Sequence, residues 1–321
     1  MYWWAALFLA ALAAPAAVYP VFLMNVLCFA LFASAFNLLI GYVGLLSFGH
    51  AMFFGFAAYV TGHMVKVWGW DPLLGVLAGT AVAAILGLVS GTIAIRRQGI
   101  YFAMVTLALS QMVYFFCLQA KFTGGEDGIQ AIPRRPLAGI LDIGNDFVLY
   151  YVVLLIFVVA FLTIYRTIHS PFGQVLKAIR ENEPRAISLG YAVDRFKLIA
   201  FTLSAALAGL AGATKAIVFQ LASLTDVSWQ MSGEVVLMTL VGGMGTVFGP
   251  VVGAAIIVTM QNYLAGFGEW VLVIQGTIFV ITVLLFRRGI VGELLGLTAQ
   301  SHRARSAHEP AAATQSKAPA E

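Results

Sequence analysis

The chain has 321 residues, 61% of them hydrophobic and 10% charged, and its 18 Lys and Arg against 14 Asp and Glu leave a net charge of +4. A soluble domain carries about 25% charged residues, so a soluble enzyme or binding module is excluded, and no basic patch of the kind nucleic acid needs is present. The apolar residues fall in blocks of roughly 20, enough for a helix to cross about 30 Å of hydrocarbon, and they lack the alternation of a barrel strand. The expected class is all-α, a polytopic helical membrane protein.

In chain order, spans are expected near 2–19, 21–40, 51–68, 73–95 and 100–120, then near 147–165, 198–219, 232–247, 250–264 and 270–286, about ten crossings in all. The first block resembles the apolar part of a signal peptide, but Met1 to Trp4 carry no basic side chain, so an uncleaved first helix is expected. Lys and Arg near the span ends set orientation. Arg96, Arg97, Arg166, Lys177, Arg180, Arg185, Arg195, Lys197, Arg287, Arg288, Arg303 and Arg305 all fall on one side, which is expected to be the cytoplasm, with both termini inside. The loop 121–146 is balanced, with Lys121, Arg134 and Arg135 against Glu126, Asp127, Asp142 and Asp146, and is expected outside.

Four glycines in fifteen residues, Gly41, Gly44, Gly49 and Gly55, interrupt the helical pattern around Ser47 and His50. Two readings stand: close helix crossing over small residues, or a broken helix whose peptide groups face a translocation path. His50 also reads as a packing histidine near the cytoplasmic edge. Cys28 and Cys117 lie within apolar blocks, without disulfide or metal spacing. In the outer loop, TGGEDGI from Thr123 to Ile129 combines glycine turn geometry with the charge of Glu126 and Asp127, and it lacks calcium-loop spacing.

Residues 166–197 form a charged, proline-punctuated island. Ser170 and Pro171 start a helix, and Phe172, Val175, Leu176 and Ile179 line one face of it while Gln174, Lys177, Arg180 and Glu181 fall elsewhere. Pro184 stops it and starts a second short helix over 185–189, with Gly190 as the stop and Asp194 available to cap the next span. Such helices either pack on lipid and on their own bundle or are pushed by a partner.

Beyond the island, Ser204, Ala208 and Gly212 recur beside Ala205, Gly209 and Ala213, a smooth stripe expected to face another helix. Lys215 is unusual in an apolar run and is expected to snorkel outward or to mark a substrate difference. Glu234 lies at the start of a span, as an interfacial residue or as one that gates or hydrogen-bonds between helices. Gly242, Gly243, Gly245 and Gly249, followed by Pro250, read as a cytoplasmic turn or a second broken helix. From residue 298 the composition is that of a disordered tail, which divides the chain into a membrane domain, 1–297, and a tail, 298–321. No P-loop, GxSxG or cluster of acid, base and nucleophile is present, so an enzyme is not expected.

The run SPFGQVLKAIRENEPRAISLGYAVDRFKLIAFTLSAALAGLAG, Ser170 to Gly212, closely resembles the cytoplasmic loop and following helix of Liv-type branched-chain amino-acid ABC transporter permeases. So do GYVGLLSFGHAMFFGFAAYV from Gly41, TGGEDGI from Thr123 and GEVVLMTLVGGMGTVFGPVVGA from Gly233. The segments stand in family order and are most like the M-type subunit. The resemblance implies an inner-membrane importer built of two different permeases, two cytoplasmic ATPases that bind the ATP, and a periplasmic amino-acid-binding protein, so this chain is expected to hold no cofactor or metal. It further implies that Lys177, Arg180, Glu181, Pro184, Arg185, Ala186, Leu189 and Gly190 couple to the ATPase. Gly44, Ser47, Gly49, His50, Glu234, Gly242, Gly243 and Gly245 would line or gate the path, and Gly124, Gly125, Glu126 and Asp127 would dock the binding protein. Related permeases for urea, short amides or aromatic acids are an alternative. The paucity of acids and histidines in the spans argues against a stand-alone, proton-driven transporter.

Overall fold

A computed structural model describes residues 12, 14–16, 18–136, 142–264, 266, 270–285 and 289–293. The membrane helices are α1 (Pro20–Tyr42), α2 (His50–Lys66), α3 (Pro72–Ala94), α4 (Ile100–Gln119) and α5 (Asp146–His169). The island supplies α6 (Pro171–Glu181) and α7 (Glu183–Ser188). After it come α8 (Val193–Phe219), α9 (Trp229–Gly242), α10 (Gly249–Leu264) and α11 (Trp270–Leu285). Every expected span from 21–40 onward falls on one of these helices, whereas two thirds of the first span and all of the tail 298–321 lie outside the described residues.

The chain is a polytopic helical membrane protein as expected, and the count of about ten crossings is not matched exactly. Among the described residues, five helices, α1, α3, α4, α5 and α8, are long and apolar enough to cross a membrane. Helix α9 has 14 residues and α10 has 16, lengths of about 21 and 24 Å at 1.5 Å per residue, short of a hydrocarbon core of about 30 Å. The cause is local. Gly243 and Gly245 adopt φ of +119° and +75°, a left-handed backbone that glycine tolerates and that a helix cannot continue through, so the expected span 232–247 ends at Gly242.

Helix α1 forms the centre and is buried along most of its length. It packs on α5, α8, α9 and α10, and α8 packs in turn on α2 and α3. The small-residue stripe of α8 makes these crossings possible: Gly209 faces Ala83 and Ala57, Gly212 lies against the backbone of Phe54, and Ala205 meets Gly87 of α3. Phe32 and Phe54 stack at 4.5 Å between ring centres, filling the α1–α2 seam. Outward-facing Ile85, Leu88 and Ile93 on α3, and Leu155, Val159 and Leu162 on α5, are exposed and form the face that hydrocarbon would cover.

Two expected caps differ in detail. Helix α8 begins after Ala192 with no side-chain cap, and Asp194 stands inside its first turn, where it complements the helix dipole. The second island helix starts earlier than expected, because the Asn182 side chain accepts from the Arg185 N–H at 3.1 Å.

Candidate functional site

In the island, Pro171 opens α6 and the Ser170 hydroxyl accepts from the Gly173 N–H at 3.3 Å. Leu176 is buried on the bundle, while Ile179, Ala186 and Val193 close into a small core of the island's own. The Lys197 ammonium donates to Glu183 at 2.6 Å, fastening α7 to α8. Of the expected coupling residues, Glu181, Pro184, Arg185, Leu189 and Gly190 are exposed, and Leu189 reaches 69% beside exposed Ile187 and Tyr191. Ala186 is 3% exposed and faces inward. Lys177 sits over the Tyr42 ring, 5.8 Å from its centre.

Arg180 has a different setting. Its guanidinium donates to the Gly41 carbonyl, at the end of α1 where the helical ladder stops, and its side chain packs over Gly44, whose φ is +82°. The Asn37 side chain, one turn earlier, donates to the Thr246 carbonyl at 2.8 Å and accepts from the Gly245 N–H at 3.0 Å. The structure therefore brings Arg180, Gly44 and Gly245 into one knot where the island, the end of α1 and the α9–α10 turn meet. Gly242 lies against the Gly249 backbone in that turn, and Gly243 against Gly289.

Deeper in the bundle, the break between α1 and α2 is stitched from several sides. Ser47 accepts from the Gly49 N–H at 3.2 Å, the Phe48 N–H donates to Thr106 at 3.2 Å, and the Ala51 N–H donates to Ser232 at 3.0 Å. His50 is fully buried among Phe36, Phe53 and Phe201, with Nε2 2.9 Å from the Ser204 hydroxyl. Ser204 donates its own hydrogen to the Ala35 carbonyl at 2.5 Å, so the network assigns the imidazole proton to Nε2. Ser47 and His50 thus stand in packed surroundings.

Beside the TGGEDGI turn lies a cavity of about 670 Å³. Glu126 from the TGGEDGI turn and Glu234 from α9 both line it, with Gln111 and Tyr114 of α4 and Trp229 and Gln230 at the start of α9. Gly124 and Gly125, at φ of +79° and +63°, fold the turn that carries Glu126 to this wall. The Gln261 amide donates to Glu234 at 3.2 Å. The segment before α9 turns back into the protein, so that Gly55 of α2 meets Asp226 and Val227. Lys215 points inward here: it pairs with Asp226, which is 2% exposed, and lies over the rings of Phe29, Phe54 and Phe219. The expected outward snorkel does not occur, because a buried carboxylate supplies the partner that water would have provided.

Asp226, Asn37 and Ser204 were not singled out as functional from the sequence. Asp226 carried one usable signal, a lone acid following a lone lysine in apolar surroundings. Among the described residues no group of three or more His, Cys, Asp or Glu is placed to hold a metal ion.

Residues 20–283 match the family model described as branched-chain amino acid transport system / permease component. The chain is 29% identical over 283 residues to the high-affinity branched-chain amino acid transport system permease protein LivM of Escherichia coli, covering 79% of this chain and 65% of that protein. It thus spans just under two thirds of the length of that relative. It is 26% identical to the probable LivM of Methanocaldococcus jannaschii over 69% of each chain. It is also 26% identical to the fructose import permease protein FrcC of Rhizobium meliloti, over 71% of this chain and 66% of that one. No solved structure matches. With the match running from the start of α1 nearly to the end of α11, this multi-pass membrane protein belongs to the family of branched-chain amino acid transport system permease components.

Proposed function

We propose that this chain is a permease subunit of an ABC importer that moves branched-chain or related hydrophobic amino acids across the bacterial inner membrane, with both termini in the cytoplasm. Its partners in this reading are a second homologous permease, two cytoplasmic ATP-binding subunits that bind and hydrolyse the ATP, and a periplasmic amino-acid-binding protein. This chain itself needs no cofactor and catalyses no reaction.

The observation that carries the reading is the dual attachment of the island. One side of it offers an exposed apolar ridge, Ile187, Leu189 and Tyr191, of the kind a soluble partner covers. The other side is tied through Arg180 to the end of α1 and, beside it, to the α9–α10 turn. A push on α6 and α7 from an ATPase is thereby delivered to the two glycine breaks, where the backbone has the freedom to reorient. Alternating access follows when the breaks shift α1 against α9 and α10. The docking of the binding protein falls to the outer face around Gly124, Gly125, Glu126 and Asp127, where acidic groups complement a basic partner surface.

Uptake of labelled leucine, valine, urea and fructose in cells lacking this chain, with and without its restoration, tests the reading. Restored leucine and valine uptake that depends on the ATPase subunits is the expected result. Restored urea or fructose uptake alone, or leucine transport by the lone chain in vesicles, contradicts it.

A further inference from the structure

The cavity beside the TGGEDGI turn is larger than mere proximity of a turn and a helix requires. Its volume of about 670 Å³ falls in the range of sites that enclose small molecules, about 300–1,000 Å³. Its wall carries two carboxylates, Glu126 and Glu234, and no Lys or Arg. Glu234 is half-buried and its one hydrogen-bonded partner, the Gln261 amide, is neutral. Among the described residues no ion pair includes it, and Lys215, the cation in electrostatic reach, is committed to Asp226. A half-buried carboxylate without a counter-charge carries a desolvation cost, and a cationic ligand would relieve it.

The rest of the wall narrows the kind of cation. Leu224, Trp229 and Met231 give it an apolar surface. The first turn of α9 supplies the opposite pole: Ser228 spends its hydroxyl on the Thr225 carbonyl and leaves the helix start without a side-chain cap, so first-turn N–H groups remain to meet an anion. Side chains on a helix lean toward its N-terminus, which carries the Glu234 carboxylate back toward that turn.

We propose that this cavity is a substrate site on the outer side of the permease, in which Glu234 receives the primary ammonium group of an apolar amino acid while the start of α9 faces its carboxylate. The assignment rests on the amino-acid import proposed above, and it makes Glu234 a binding residue. Sugars and urea, which carry no ammonium, gain nothing from it.

The test uses the complete importer in proteoliposomes, with both permeases, both ATPases and the binding protein, carrying Glu234→Gln or Glu234→Asp. Leucine uptake should fall about tenfold or more in Glu234→Gln, the equivalent of losing one charge-assisted contact, and recover in part in Glu234→Asp. Uptake within about twofold of the unaltered complex for Glu234→Gln overturns the assignment. If that variant does not assemble, labelled leucine bound to the unaltered, detergent-solubilised complex of permeases and ATPases, without the binding protein, provides the measurement. Isoamylamine, which keeps the ammonium, should displace leucine at lower concentration than 4-methylpentanoate, which lacks it, and the reverse order refutes the proposal. Failure of the unaltered complex to import leucine at all would instead sink the transport reading itself.

Discussion

Lys215 and Asp226 hold the segment before α9 in its inward course. Their side chains are 16% and 3% exposed, so removing one leaves the other charged and buried, a change that costs about 3–5 kcal/mol. Lys215→Met or Asp226→Asn should therefore lower the melting temperature of the purified protein by several degrees. The double change Lys215→Met with Asp226→Leu should recover most of that loss, because no charge remains to be solvated. Thermal unfolding in detergent reads both. Lys215 announced itself in the sequence as a cation in an apolar run, but its direction did not. Which way a lysine points depends on a carboxylate brought beside it by a turn that no local pattern specifies.

At the scale of the element, the island divides into a face that holds the bundle and a face that is free. Leu189→Asp alters an exposed position and should leave expression and melting unchanged while reducing ATPase co-purification at least about tenfold, the loss of an apolar contact at an interface. Ala186→Asp places a charge inside the island's small core and should destabilise it, lowering both measurements together. Pull-down of the ATPase alongside thermal unfolding separates the two. Equal ATPase recovery from unaltered protein and Leu189→Asp would remove the ridge from consideration. This division shows where sequence is readable. Ser170, Pro171 and Gly190 act on their immediate neighbours, so the helix starts and the stop follow from short-range rules. The Arg180 contact to Gly41 joins residues 139 apart, and Asn37 reaches Thr246 across 209. The glycines marked both breaks, but only tertiary structure shows that the breaks touch.

Across the whole molecule, the helix order places the 96–99 turn on the same face as the island and the 142–145 turn on the opposite face. With the positive side inside, a cysteine at Asp142 should be labelled in intact cells by a membrane-impermeant maleimide after outer-membrane permeabilisation. One at Arg97 should react only once the inner membrane is opened. Native Cys28 and Cys117 are buried and should contribute little background. Identical labelling of both positions from outside would reject the orientation. The long helices and the stripe on α8 were legible because apolar length and small-residue spacing are properties of a single segment. The shortness of α10 was legible in the expected span 250–264, while that of α9, which stops at Gly242 and not near 247, was not, since glycine marks a break without saying at which residue the helix stops.

That shortness bears on the lipid as well as on the protein. Helices of about 21 and 24 Å fall short of a hydrocarbon layer about 30 Å thick, so wherever lipid reaches them its acyl chains have nothing apolar to match at one end. The bilayer must thin there, or another protein must take its place. A second permease standing against α9 and α10 would remove that mismatch, so membrane thickness itself would favour pairing: the unpartnered subunit deforms the lipid around it, and the assembled pair does so less.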